Sequence, residues 1–145
     1  MNKDTKDFLE TLLWLADSSD EKERRFINKT VFDFSDKFVE AVDKFMSAFR
    51  RHLNGKGWTD RKIDGAERSF GGNVFFSLSG HGCGFFDDRD EDISGLQEVI
   101  KEWAGGNRFE ELGYMLDVCE DGKIDLSFIP SAIDEYRAEW FAIPA

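Results

Sequence analysis

The chain has 145 residues, 41% hydrophobic and 14% aromatic, with 30 acidic side chains against 19 basic ones and a formal charge of -11. That length suits one domain, 1–145, and 15 phenylalanines with four tryptophans supply enough apolar surface to exclude wholesale disorder. So acidic a chain is a poor ligand for DNA, RNA or an anionic membrane, so no direct nucleic-acid binding and no membrane contact are expected.

From Asp4 to Asp17, Phe8, Leu12 and Leu15 recur at steps of three and four with Leu9, Leu13 and Ala16 beside them. This spacing predicts a helix with a broad apolar stripe. Ser18-Ser19-Asp20 stops it, and a charged EKERR stretch leads to Phe26 and Ile27. A second helix is predicted from about Ser35 to Leu53. There Phe34, Phe38, Val42, Phe45, Phe49 and Leu53 are spaced by four, four, three, four and four, and Asn54-Gly55 supplies the stop. Each such side chain contributes about 1.5–3 kcal/mol when buried, so the stripe reads as core rather than as a ligand face. Residues 54–73 read as a glycine- and charge-rich loop with one short helical turn.

At Asn73 the period changes. NVFFSLSGHGCGFFDD has β-forming residues at both ends and glycines between, which predicts strands at about 74–79 and 83–87 joined at Gly80-His81-Gly82. An acidic DDRDED loop follows, and then a helix from Ile93 to Trp103 with Leu96, Val99 and Ile100 on one side, ended by Gly105-Gly106. YMLDVCE and KIDLSF flank Asp121-Gly122, a pair that favours the type I′ turn of a two-residue hairpin. Pro130 bars continuation, and Ser131 opens a last helix over 131–141 with Ile133, Tyr136 and Trp140. The fold class is therefore α+β: a small antiparallel sheet of about four strands in two hairpins, packed against N-terminal and C-terminal helices. Within the single domain, 1–55 makes a helical half, 73–130 a sheet-containing half and 131–145 a C-terminal helix.

The compartment follows from what the chain lacks. No basic start with an apolar run of leader type is visible, no stretch approaches the ~20 apolar residues of a membrane span, and two cysteines are too few for a secreted disulfide scaffold. A reduced, cytoplasmic protein is expected.

Chemistry centres on Gly80-His81-Gly82-Cys83-Gly84. Alternating glycines let a backbone or ligand approach closely, and His81 and Cys83 share one side of an extended strand. With Cys119 across the sheet and Asp87 or Asp88 nearby they would form a His/Cys zinc site, but no paired ligand spacing of a zinc signature accompanies them. Cys83 with His81 or His52 as base would make a nucleophile, against the plainer reading of a buried, inert cysteine. The DDRDED run lacks the ligand order of a calcium loop, and no phosphate-binding glycine loop or serine-nucleophile elbow occurs, so no cofactor is expected.

Charge is segregated. Residues 1–83 hold 14 acidic and 14 basic side chains, whereas 84–145 hold 16 acidic ones against five basic: Arg89, Lys101, Arg108, Lys123 and Arg137. Concentrated like charge opposes folding. The distribution is either a solvated face that aids solubility or a surface shaped for a basic partner.

FFSLSGHGCGFFDD, followed after a helix by YMLDVCEDGKIDL, resembles a group of small uncharacterised bacteriophage and mobile-element proteins. They share an aromatic strand, then GHGxGF-aromatic-D, then a helix and a strand ending in DDGxI. The likeness covers residues 73–126, with FVEAVDKF where that group has an acidic amphipathic helix; Glu120-Asp121-Gly122 replaces the usual double aspartate, and the C-terminal helix is added. GGNVFFSLSG has a weaker likeness to plasmid antirestriction proteins. The resemblance supplies no catalytic residue. It implies a phage-type protein in the bacterial cytoplasm, a class rich in inhibitors of host defence.

Three readings follow. The first is a non-catalytic anti-CRISPR or antirestriction binder whose acidic half mimics nucleic acid. Asp87, Asp88, Asp90, Glu91, Asp92, Glu110 and Glu111 would meet a host protein's basic nucleic-acid-binding surface. The second is a small metal or hydrolytic protein on His81 and Cys83, and the third an accessory domain whose GHGCG segment only turns the chain. A homodimer through a strand edge or through Trp58, Trp103 and Trp140 stays open.

Overall fold

In the computed structural model, which describes residues 1–65, 69–79, 95–105, 108–127 and 131–144, the chain opens on helix α1 (Lys3–Ser19). The Asn2 side chain accepts the Thr5 amide at 2.8 Å and caps its start, and Asp20 ends it, as the Ser-Ser-Asp stop predicts. Phe8, Leu9, Leu12 and Ala16 face inward. After a loop, a 3-10 turn (Val31–Asp33) held by a Thr30/Asp33 capping box leads to α2 (Asp36–Gly55), capped by Ser35. The predicted stripe is core: Phe34, Phe38, Val42, Phe45, Phe49 and Leu53 are at most 2% exposed. The short turn expected within 54–73 is α3 (Asp60–Asp64), capped by Thr59.

The next element departs from expectation. Residues 70–79, read above as the end of a loop and a strand at 74–79, form helix α4 (Phe70–Ser79). A short apolar run cannot be assigned to strand or helix by periodicity when all its faces are covered. Here every residue but Phe76 is buried, the signature of a helix enclosed by core. Glycine makes the enclosure feasible: a Cβ on Gly71 would collide with the Asp4 carbonyl oxygen and lie 2.6 Å from the Phe8 nitrogen. Gly71 thus lets α4 lie directly on the α1 backbone, the most extensive contact between elements in the fold. The companion strand expected at 83–87 lies outside the described residues.

Helix α5 (Leu96–Ala104) matches the predicted helix and ends at Gly105, whose φ of +81° suits only glycine. A 3-10 turn (Leu112–Met115) then enters the hairpin, β1 (Leu116–Val118) antiparallel to β2 (Ile124–Leu126), with Leu116 opposite Leu126 and Val118 opposite Ile124. The hairpin stands where predicted, but its turn differs. Gly122 donates to the Cys119 carbonyl at 2.9 Å and has φ +81°, while Asp121 is not left-handed. A type I′ turn needs both central residues left-handed; this is instead a three-residue loop with glycine at the bulge. Asp121 accepts the Lys123 amide at 2.9 Å, a bond that holds the carboxylate in the turn. Helix α6 (Ile133–Trp140) closes the described fold against α2 and β2.

The architecture is mixed helix and small antiparallel sheet, with two strands rather than about four among the described residues. Phe34 adds an isolated bridge to Ile124. One aromatic cluster joins the layers: Phe8 meets Phe75 and Phe109 edge-on at 5.4 and 5.3 Å, and Phe45 meets Phe109 at 5.4 Å and Phe141 at 6.2 Å. None of the described helices is long and apolar enough to cross a membrane.

Candidate functional site

Glu110 and Glu111 follow Phe109, which is fully buried and donates its amide to the Leu78 carbonyl at 2.6 Å. Leu112 is buried on their other side. With both neighbours anchored inward, the two carboxylates are left in solvent. The other members of the predicted acidic surface, Asp87, Asp88, Asp90, Glu91 and Asp92, lie outside the described residues, as do Gly80, His81, Gly82, Cys83 and Gly84. Cys119 is exposed beside the hairpin turn. Desolvation of its sulfur and the carboxylates of Asp125, Asp121 and Asp117 push its thiol pKa up, so it stays protonated at neutral pH. No three His, Cys, Asp or Glu side chains come together as a metal site among the described residues. His52 stacks on Trp103 at 5.4 Å.

The acidic half acquires its character from where its few basic side chains go. Arg137 is buried at 6% exposure and holds Asp125, itself 4% exposed, through Nη2 at 2.6 Å and Nε at 3.3 Å. Ser35, the cap of α2, donates to the same carboxylate at 2.5 Å. Burial pulls the Arg137 pKa down, and the hydrogen bonds it donates to Asp125 and Asp134 more than reverse it. Arg108 lies 5.1 Å over the Phe45 ring and donates to carbonyls at the end of α6, to Trp140 at 3.0 Å and to Ala142. Burial lowers its pKa. Lys123 reaches the Phe32 carbonyl at 3.4 Å.

Apart from the buried Asp125, most described carboxylates of this half stay outside. Glu98, Glu102, Glu110, Glu111, Glu120, Asp121, Glu135 and Glu139 are exposed and make no ion pair among the described residues. Asp117 pairs with Arg25 at 3.5 Å, and Asp134 with Lys37 at 3.5 Å and Arg137 at 2.7 Å; the Arg137 hydrogen bond holds the Asp134 carboxyl below the usual range.

A second surface escaped the sequence reading. Trp14 and Phe32 are 60% and 70% exposed and line one groove of about 380 Å³ together with Lys6, Glu10, Leu13, Asp17, Phe26 and Lys29. Leu13 and Trp14 lie beside the buried stripe of α1, so period alone counts them as core margin. The signal that distinguishes Trp14 is its place among Lys6, Glu10 and Asp17 at helical spacing on the same face.

No known protein family, no curated protein and no solved structure matches this chain.

Proposed function

We propose that this is a non-catalytic binding protein whose acidic C-terminal half engages a basic, nucleic-acid-handling host protein, as an anti-CRISPR or antirestriction factor would. One observation carries the reading: two of the half's five basic residues, Arg108 and Arg137, are turned into the protein, and eight exposed carboxylates there make no ion pair among the described residues. Isolated like charges on a small domain oppose its folding, and a cationic partner relieves that repulsion. Spaced carboxylates also offer acceptors to arginine and lysine groups that ordinarily contact phosphate. The proposed surface comprises Glu110 and Glu111 with Asp87, Asp88, Asp90, Glu91 and Asp92.

The test is capture of binding proteins by the tagged protein from nuclease-treated bacterial lysate, at low salt and at about 0.5 M, where exposed charges are screened. A nucleic-acid-handling protein held at low salt and released at high salt is expected. Glu110→Lys with Glu111→Lys should weaken that capture about tenfold, and reversing Asp87, Asp88, Asp90 and Glu91 should abolish it. Capture that survives all these reversals at every salt concentration would overturn the electrostatic reading.

A further inference from the structure

The groove on α1 is built rather than incidental. Its far wall, drawn from residues 26–32, belongs to a loop in which Arg24 and Asn28 hold left-handed backbone at φ 53° and 63°. For arginine this conformation is uncommon and unfavourable. The wall buries Phe26 at 3% exposure and presents Phe32 at 70%. On the near wall, Lys6, Glu10, Trp14 and Asp17 fall on one face of α1, and Trp14 is braced edge-on by Phe76 at 6.4 Å. Two large aromatic side chains thus face solvent across a cleft at the small end of the ~300–1,000 Å³ range of ligand sites.

The electrostatics of the groove select its occupant. Lys29 Nζ donates to the Gly122 carbonyl at 2.9 Å, and Lys6 Nζ lies 3.9 Å from Glu10 with both side chains about half exposed, so those two charges offset each other. Asp17 makes no ion pair among the described residues and is the carboxylate of the groove left without a basic partner there. The unmet demand is for a cation with a flat apolar face, to lie against Trp14 and Phe32 beside the Asp17 carboxylate. A guanidinium meets it better than an ammonium, because it is planar, weakly hydrated and stacks on rings.

We infer that the Trp14–Phe32 groove is an arginine-binding site that seats an arginine side chain of a protein partner. From the proposed function it takes only the basic character of that partner; the groove itself lies on α1 and the loop after it, and none of its lining residues belongs to the acidic half.

The probe is the peptide acetyl-Gly-Arg-Gly-amide, with citrulline and lysine counterparts, titrated into the full chain while the Trp14 indole N–H is followed by NMR. Trp14→Phe assigns that signal among the four tryptophans. The arginine peptide should shift it saturably. The isosteric but neutral citrulline peptide should bind about tenfold more weakly, the lysine peptide about threefold, and Phe32→Ala or Asp17→Asn should weaken arginine binding about fivefold. An unmoved indole, or equal shifts with arginine and citrulline, would overturn the inference. So would an indole shift that depends on protein concentration without peptide, which would assign the groove to a second copy of the chain. The two proposals fail separately. A silent Trp14 with capture weakened by the Glu110 and Glu111 reversals removes the groove alone, and a saturable Trp14 shift with capture indifferent to every charge reversal removes the acidic surface alone.

Discussion

In the first 65 residues Arg50, Arg25, Lys3 and Lys44 pair with carboxylates, whereas after residue 95 Arg108 and Arg137 turn into the protein and eight carboxylates stay exposed without an ion pair among the described residues. Arg50 is the hub of the first region: it reaches Asp4 at 2.8 Å, Asp60 at 3.1 Å and Asp64 at 2.8 Å, and lies 4.8 Å over the Phe70 ring. Lys3–Asp7, Lys44–Glu40 and Arg25–Asp20 repeat the pattern at 2.6, 3.0 and 3.2 Å. In the second region the same residue types serve the interior, Arg137 on Asp125 and Arg108 on the end of α6. Arg137 and Asp125 are buried as a pair and Arg108 is drawn onto Phe45 and the α6 carbonyls, so the exposed carboxylates of this half stand without an ion pair among the described residues, and that surplus is where an interaction with a cation gains most.

Four measurements would break or sharpen this contrast. Arg137→Met, which leaves Asp125 charged and buried, should cost about 3–5 kcal/mol in urea unfolding. The paired Arg137→Met and Asp125→Leu change should recover most of that loss; if it does not, packing rather than charge holds α6. Arg50→Ala should cost less, about 1–2 kcal/mol, because Asp60 and Asp64 remain well hydrated at 64% and 58% side-chain exposure and Asp4, at 17%, still reaches water more than Asp125 does. A loss as large as that of Arg137→Met would erase the distinction between surface and interior arginines.

Acid should expose the paired carboxylates next. Hydrogen bonds from Asn54 and then Arg50 hold the Asp60 carboxyl below its usual range, and the Arg25 backbone amide does the same for Asp20. A depressed folded pKa means that the unfolded chain takes up the proton first. The stability these groups confer is therefore complete above the ordinary aspartate range, near pH 4, and is lost as pH falls through their lower folded values. Urea midpoints should be flat from neutrality to about pH 5 and decline below pH 4, with a shallower decline in Asp60→Asn. Smallest of all should be the effect of Glu110→Lys with Glu111→Lys on stability, within about 0.5 kcal/mol and in the stabilising direction, since they add cations to an acidic half. Thermal unfolding of the variant checks this; a large loss would give these residues a structural role.

How much of this was legible depends on local physics. The α2 stripe was readable because Phe34 through Leu53 share one helical face and bury it, so the period survives folding. The hairpin was readable from Asp121-Gly122, although its loop class was not: Asp121 accepts the Lys123 amide and stays out of the left-handed region, a competition between side chain and backbone that a dipeptide does not disclose. Of the candidate surface, Glu110 and Glu111 were legible as exposed charge. The Trp14–Phe32 groove was not, because Phe32 lies 18 positions from Trp14 in the chain and nothing local joins them.

By itself the sequence determined the helices α1, α2, α5 and α6, the aromatic core and the segregation of charge, since each rests on spacing or composition within one stretch of chain. Only tertiary structure decided the rest. Phe70–Ser79 became a helix because core covers it on nearly all sides and Gly71 admits the α1 backbone, where a strand-like composition has no lever of its own. Likewise Arg108 and Arg137 were counted as surface charge until Phe45, the α6 carbonyls and Asp125 drew them inside. Both outcomes depend on partners distant in sequence, and the free energy of burial belongs to the contact rather than to either residue alone.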